Sequence, residues 1–289
     1  MANDSKPFTH DPAKPVAEPA VLVDGDVREL ARIALQRLTQ PNGLRVNRSC
    51  GLTDRLDDLC EAFLSDSNED RHIVIHQMRL DGISANEIID HVIPAVAAVL
   101  GQRWADDTLS FVEVTIGSAR LQEAVRALIA HELSRDASNI HRDTLSAGPD
   151  RVHTPKVLLL VPRPEHHTLG AFVAADQFRR FGYDVDIAVD QHPKQVAATL
   201  RDRRYCMIGI SIAGRRTLAS TRELVDIIRA TVTRVTPIVL GGSLLETDQD
   251  LKKATGVDYV ARTVRDALEL CGLNIVELDP PRELMADHV

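Results

Sequence analysis

KVLLLVP at residues 156–162, followed by LGAFVAADQFRRFG at 169–182, is the stretch from which the fold is read. The first segment is apolar throughout and of strand length, and the second spaces its apolar residues as a helix does before stopping at Gly182. A strand with no polar alternation is buried on both faces, which is the pattern of a parallel sheet covered by helices. The unit then recurs. VDIAV (185–189), CMIGISI (206–212), PIVLGG (237–242) and DYVAR (258–262) read as strands. PKQVAATLRDR (193–203), TLASTRELVDIIRATV (217–232), LLETDQDLKKATG (244–256) and TVRDALELCG (263–272) read as the helices that follow them. Five such units predict an α/β domain over 155–275, a flavodoxin-like, doubly wound, five-stranded parallel sheet. Ligands of that architecture sit beyond the carboxyl ends of the strands, where the strand order switches.

Upstream, the pattern is helical. TDRLDDLCEAFLS (53–65), NEDRHIVIHQMRLDG (68–82), SANEIIDHVIPAVAAVLGQRW (84–104) and TLSFVEVTIGSARLQEAVRALIAHELSR (108–135) predict a four-helix bundle over 48–136. Thr53 is the expected N-cap of the first helix, and Ser84 with Glu87 has the form of a capping box. Residues 137–154 are polar and read as a linker. Residues 1–47 read as a mobile tail with one helix at 27–38 (VRELARIALQRL), and 276–289 as a second tail.

The formal net charge of −8 argues against a general nucleic-acid binder, which needs a basic face. Cys50, Cys60, Cys206 and Cys271 form no CxxC pair, so neither a disulfide framework nor a zinc site is expected, as suits a reducing cytoplasm. The N-terminal segment lacks the layout of a signal peptide, and no apolar run approaches the ~20 residues that cross a bilayer. A cytoplasmic protein that binds no membrane is the expectation.

Three short motifs fall at the carboxyl ends of the first, third and fourth strands. They are Glu165-His166-His167-Thr168-Leu169-Gly170, Ser211-Ile212-Ala213-Gly214 and Gly241-Gly242-Ser243. In this order the chain resembles the cobalamin-binding fold shared by methionine synthase, the corrinoid mutases and corrinoid photoreceptors. That family carries Asp-x-His-x-x-Gly, Ser-x-Leu and Gly-Gly at these places. The resemblance implies that His167 is the lower axial ligand of cobalt, and that Glu165, Thr168, Leu169 and Gly170 belong to the same loop. It also implies that Ser211, Ala213, Gly241 and Gly242 line the channel for the displaced nucleotide tail. A neutral imidazole is a good cobalt ligand whose other nitrogen needs an acceptor to set the tautomer, and glycine permits close backbone approach. Two residues depart from the pattern. Glu165 replaces Asp, which lengthens or re-angles the relay to His167, and Ala213 replaces Leu. Plain alternatives stand beside these roles: a solvated loop histidine, a strand-to-helix turn for the Gly-Gly pair, and surface charge for the neighbouring Arg215 and Arg216.

The helical part also carries a resemblance. Gly101-Gln102-Arg103-Trp104, Phe111-Val112-Glu113-Val114 and Arg120-Leu121-Gln122 resemble the bundle that caps the corrin in light-sensing regulators. This implies that Trp104, the one tryptophan of the chain, lies over the upper ligand of cobalt with Glu113 and Val114 beside it. Packing between helices is the alternative for Trp104. Val114 stands where the photoreceptor relatives place a histidine, which leaves His167 as the protein ligand.

Within the family the tail, the Trp104 cap and the His167 loop most resemble the PpaA/AerR group of cobalamin-dependent antirepressors of photosynthesis genes. That likeness implies a non-enzymatic, light-responsive regulator that binds adenosyl-, methyl- or hydroxocobalamin. Its implied partner is a PpsR/CrtJ-type repressor, and direct DNA binding is not expected, because the N-terminal segment has no basic recognition helix. Light would act by breaking the weak cobalt–carbon bond. A corrinoid methyl carrier and a haem-responsive sensor are the rival readings.

Overall fold

In a computed structural model, residues 49–143, 154–163, 165–232, 235–243 and 248–275 are described. The predicted tail at 1–47 with its helix, the linker residues 144–153, Pro164 and the tail at 276–289 lie outside them.

The parallel sheet is present with the expected strands: β1 (Lys156–Val161), β2 (Asp184–Val189), β3 (Met207–Ile212), β4 (Ile238–Gly242) and β5 (Tyr259–Val260). The order is β2-β1-β3-β4-β5, all parallel, which is the flavodoxin-like arrangement. Successive β1 side chains feed opposite faces, as a pleat requires. Leu158 and Leu160 enter one apolar cluster with Ile208, Ile210 and Leu240, and Val157 and Leu159 enter another with Met207 and Val239.

Four helices make the N-terminal part. They are α1 (Ser49–Leu64), α2 (Asn68–Leu80), a composite α3 and α4 (Phe111–Asp143). The sheet domain adds α5 (Leu169–Arg180), α6 (Pro193–Asp202), α7 (Leu218–Thr231), α8 (Asp248–Thr255) and α9 (Val264–Leu270). Helices α5 and α9 cover one face of the sheet, with Ala175, Phe178, Val264 and Leu268 buried there. Helices α6, α7 and α8 cover the other, through Val196, Leu224 and Leu251.

Three details differ from the sequence reading. Helix α1 covers Ser49–Leu64, so Thr53 lies within it rather than capping it; a threonine inside a helix carries the same hydroxyl that marks a cap. Helix α4 continues to Asp143, past the point where polar composition suggests a linker, because each residue added to an existing helix gains a backbone hydrogen bond whatever its polarity. Helix α3 runs through Ala85–Glu87, a π-turn at Ile88–Val92 and Ile93–Ala105. The cause is Pro94: it has no N–H for the carbonyl four residues back, and its ring crowds that carbonyl. The preceding turn widens instead, and Ile93 N–H bonds Ile88 C=O. The capping box at Ser84 and Glu87 is formed in both directions.

The bundle core is built from Leu59, Phe63, Ile89, Val96, Leu121 and Val125, and it extends into the sheet domain through Val173 of α5. No helix among the described residues is long and apolar enough to cross a membrane.

Candidate functional site

The loop between β1 and α5 brings Glu165 and His167 together at the carboxyl end of β1. Glu165 turns inward because its N–H bonds the Pro162 carbonyl at 2.8 Å. Its side chain is 3% exposed, whereas that of His167 is 78% exposed. One carboxylate oxygen, Oε1, accepts from His167 Nδ1 at 2.6 Å and from the His167 backbone N–H at 3.0 Å. The other, Oε2, accepts from the Ala213 N–H at 2.8 Å. The relay from carboxylate to imidazole is therefore direct. The longer Glu side chain spans from the β1 loop to the end of β3 and fastens the two together.

Electrostatics follow from this geometry. Burial alone would raise the Glu165 pKa. The bonds from His167 and from the Ala213 N–H outweigh it and bring the group down to about 2. Glu165 is thus a carboxylate at neutral pH. Its hydrogen bond raises the His167 pKa above 6.5, burial opposes that, and the charge of Glu165 adds to it. In neutral His167, a proton held on Nδ1 by Glu165 leaves the Nε2 lone pair free to ligate.

The neighbouring motifs meet as the sequence order implies. Ser211 of β3 lies beside Gly241 of β4 in the strand register, and Ile212 lies beside Gly242. Gly241 and Gly242 border a small cleft with Leu251 of α8, Val260, Ala261 and Arg262. The two most informative glycines differ in what they demand. Gly242 has φ +127°, and a Cβ there would lie 1.8 Å from the Ile212 carbonyl oxygen, so the fold itself requires it. Gly170, exposed in the first turn of α5, would meet nothing within 4 Å on gaining a Cβ. Nothing among the described residues requires glycine there, which costs a helix roughly 0.5–1 kcal/mol relative to Ala.

The other expected residues have identifiable local roles. Thr168 precedes α5 and makes no side-chain cap bond, while its carbonyl accepts from Ala171 and Phe172. Leu169 and Val114 both pack against the bundle core. Glu113 is exposed and caps α4: its carboxylate accepts from the Ser110 N–H at 2.7 Å, and its own N–H donates to Ser110 Oγ at 3.2 Å. Trp104 is half-buried near the end of α3. No hydrogen bond joins Trp104, Glu113 or Val114 to the His167 loop among the described residues. Two participants escaped the sequence reading: Arg262 at the cleft, and Gln191 just after β2, whose Oε1 is buried with no partner among the described residues. Neither belongs to a motif, and only the sheet places them at the strand ends.

The donor set fits a large ligand that needs one axial nitrogen. Among the described residues no group of three or more His, Cys, Asp or Glu gathers to hold a free metal ion. His167 projects into solvent from a buried anchor, and Gly170 leaves the surface beside it open.

Residues 155–271, the span of the sheet domain, match the family model of the B12 binding domain. The chain is 25% identical over 188 residues to the uncharacterized 20.5 kDa protein in the bchF-crtJ intergenic region of Rhodobacter capsulatus, covering 65% of this chain and 92% of that one. It is 28% identical over 134 residues to methylmalonyl-CoA mutase of Cereibacter sphaeroides, covering 45% of this chain and only 19% of the mutase. The fold matches that of the Methanosarcina barkeri monomethylamine corrinoid protein with a TM-score of 0.58 at 13% identity, over 75% of this chain and 97% of that one.

Proposed function

We propose that this chain binds cobalamin with His167 as the lower axial ligand of cobalt, and that it acts as a cobalamin-dependent antirepressor of the PpaA/AerR type. The observation that carries the binding mode is the contact between Glu165 Oε1 and His167 Nδ1, which holds the imidazole with Nε2 outward. Cobalamin would supply a cobalt centre able to take that lone pair. Glu165 orients the ring and keeps its tautomer, Gly170 leaves room beside it, and Ser211, Gly241 and Gly242 flank the path of the nucleotide tail.

The regulatory role is supported by the Rhodobacter capsulatus relative, nearly all of which this chain covers and whose name places it beside crtJ. The partner is then a PpsR/CrtJ-type repressor, bound by the loaded protein and released from its DNA. Two measurements test the reading. Purified protein mixed with hydroxocobalamin should retain a corrin spectrum through gel filtration, and His167→Ala should lose the shift that histidine ligation causes. Loaded protein should co-purify with the repressor and free its operator in a gel-shift assay. A Soret band instead of a corrin band would select the haem reading, and methyl transfer to an acceptor by the loaded protein would select the methyl carrier.

A further inference from the structure

Helix α5 presents one stripe to the bundle. Leu169, Phe172, Val173, Asp176, Gln177 and Arg180 recur at i, i+3, i+4, i+7, i+8 and i+11, a single helical face. The half nearest His167 is apolar. Val173 belongs to the bundle's buried cluster, Leu169 and Phe172 pack against it, and the Arg126 guanidinium of α4 lies over the Phe172 ring at 4.6 Å.

The far half is polar. Asp90, in the π-turn of α3, accepts from Gln177 Nε2 at 3.0 Å and from Arg180 Nη2 at 2.5 Å. Arg180 Nε donates to Asp176 at 2.9 Å. Two carboxylates thus share one guanidinium, with the Asp90 and Asp176 side chains only 18% and 10% exposed. Burial pushes the Asp176 carboxyl up, Arg180 opposes this and Asp90 adds to it. Replacing such a cluster with apolar groups is often neutral or stabilising, so adhesion alone does not call for it. An ion cluster differs from an apolar patch in what it demands: a defined geometry, which either forms or parts. Asp90 is also carried on the turn that Pro94 already displaces from α-helical form.

We propose that the Asp90–Arg180–Asp176 cluster is a releasable clasp that sets how firmly the helical bundle sits on α5. When it parts, the apolar half of the stripe remains as the pivot, and the bundle tilts relative to the loop that carries His167, two residues before α5. The clasp itself rests on contacts within the chain. Its effect on cobalt rests on the cobalamin reading above.

Hydrogen exchange on the full chain without cobalamin tests the clasp. Asp90→Asn and Arg180→Gln should each raise amide exchange in α5 and in residues 88–92 about tenfold. Helix α7, on the opposite face of the sheet, should be unchanged. The swap Asp90→Arg with Arg180→Asp keeps the same charges and should return exchange toward wild type. Unchanged exchange in α5 of the single variants, or a folded swap that exchanges as fast as they do, overturns the clasp. If the single variants fail to fold, Arg180→Lys, with one ammonium in place of a forked guanidinium, should show an intermediate rise; no rise there also overturns it. In the loaded protein, Asp90→Asn should speed ligand exchange at cobalt, measured with cyanide. Failure of the wild-type chain to take up cobalamin would sink the cobalamin reading and leave the exchange result to decide the clasp.

Discussion

Replacing Glu165 with glutamine tests the centre of the site with little change in size. The carboxylate accepts at both oxygens, from His167 on one side and from the Ala213 N–H on the other. An amide has one acceptor, so whichever way the new side chain turns, its NH2 faces a donor. The drop of the Glu165 pKa from 4.5 to about 2 corresponds to about 3 kcal/mol favouring the charged form in the folded protein, and Glu165→Gln should lose about 1–3 kcal/mol of stability near pH 5.5. The sign with pH follows from both partners. Glu165 is depressed in the fold, so its contribution is present above 4.5 and is lost as pH falls toward about 2. His167 is raised, so its contribution is present below 6.5 and is lost as pH rises through its folded value. The gap between wild type and Glu165→Gln should therefore be widest between pH 4.5 and 6.5, narrowing on either side. Urea denaturation over a pH series measures it, and an NMR titration of the cobalamin-free protein should show the His167 pKa falling back toward 6.5. A gap that does not vary with pH, or a His167 pKa that Glu165→Gln leaves in place, would refute the assigned relay.

Further outcomes separate fold from ligand. Gly242→Ala should lower stability by on the order of 3 kcal/mol or prevent folding, because the new Cβ lands on the Ile212 carbonyl at a φ that L residues avoid; thermal melts read it. Gly170→Ala should leave the cobalamin-free protein as stable as wild type, or about 0.5–1 kcal/mol more so, while weakening cobalamin binding by roughly tenfold; equal affinity by equilibrium dialysis would show that no ligand approaches that surface. Illuminating the methylcobalamin complex should change its absorption spectrum, and a spectrum indifferent to light would leave cobalamin supply as the signal.

Much of this protein was legible in local sequence because its signals are short-range. Unalternated runs such as KVLLLVP declare buried parallel strands, and helical spacing declares the covering helices. Strand ends then locate His167, Ser211 and Gly241 together without coordinates, since a doubly wound sheet gathers its carboxyl ends on one edge. Tertiary structure decided whatever depended on reach between distant residues. Glu165 could be seen as a substitution for Asp, but not as the staple to the Ala213 N–H, 48 residues away. Gly242 and Gly170 are equivalent letters, and only the backbone around them shows that one is required by the fold and the other is not. The resemblance implies a place for Glu113 beside Trp104, and only the structure shows its carboxylate accepting from the Ser110 N–H at the start of α4. In the sequence Asp176, Gln177 and Arg180 are polar positions of a helical segment and nothing more. They face the bundle because a second layer, seated on that helix, supplies Asp90, and periodicity within one helix carries no information about what lies opposite it.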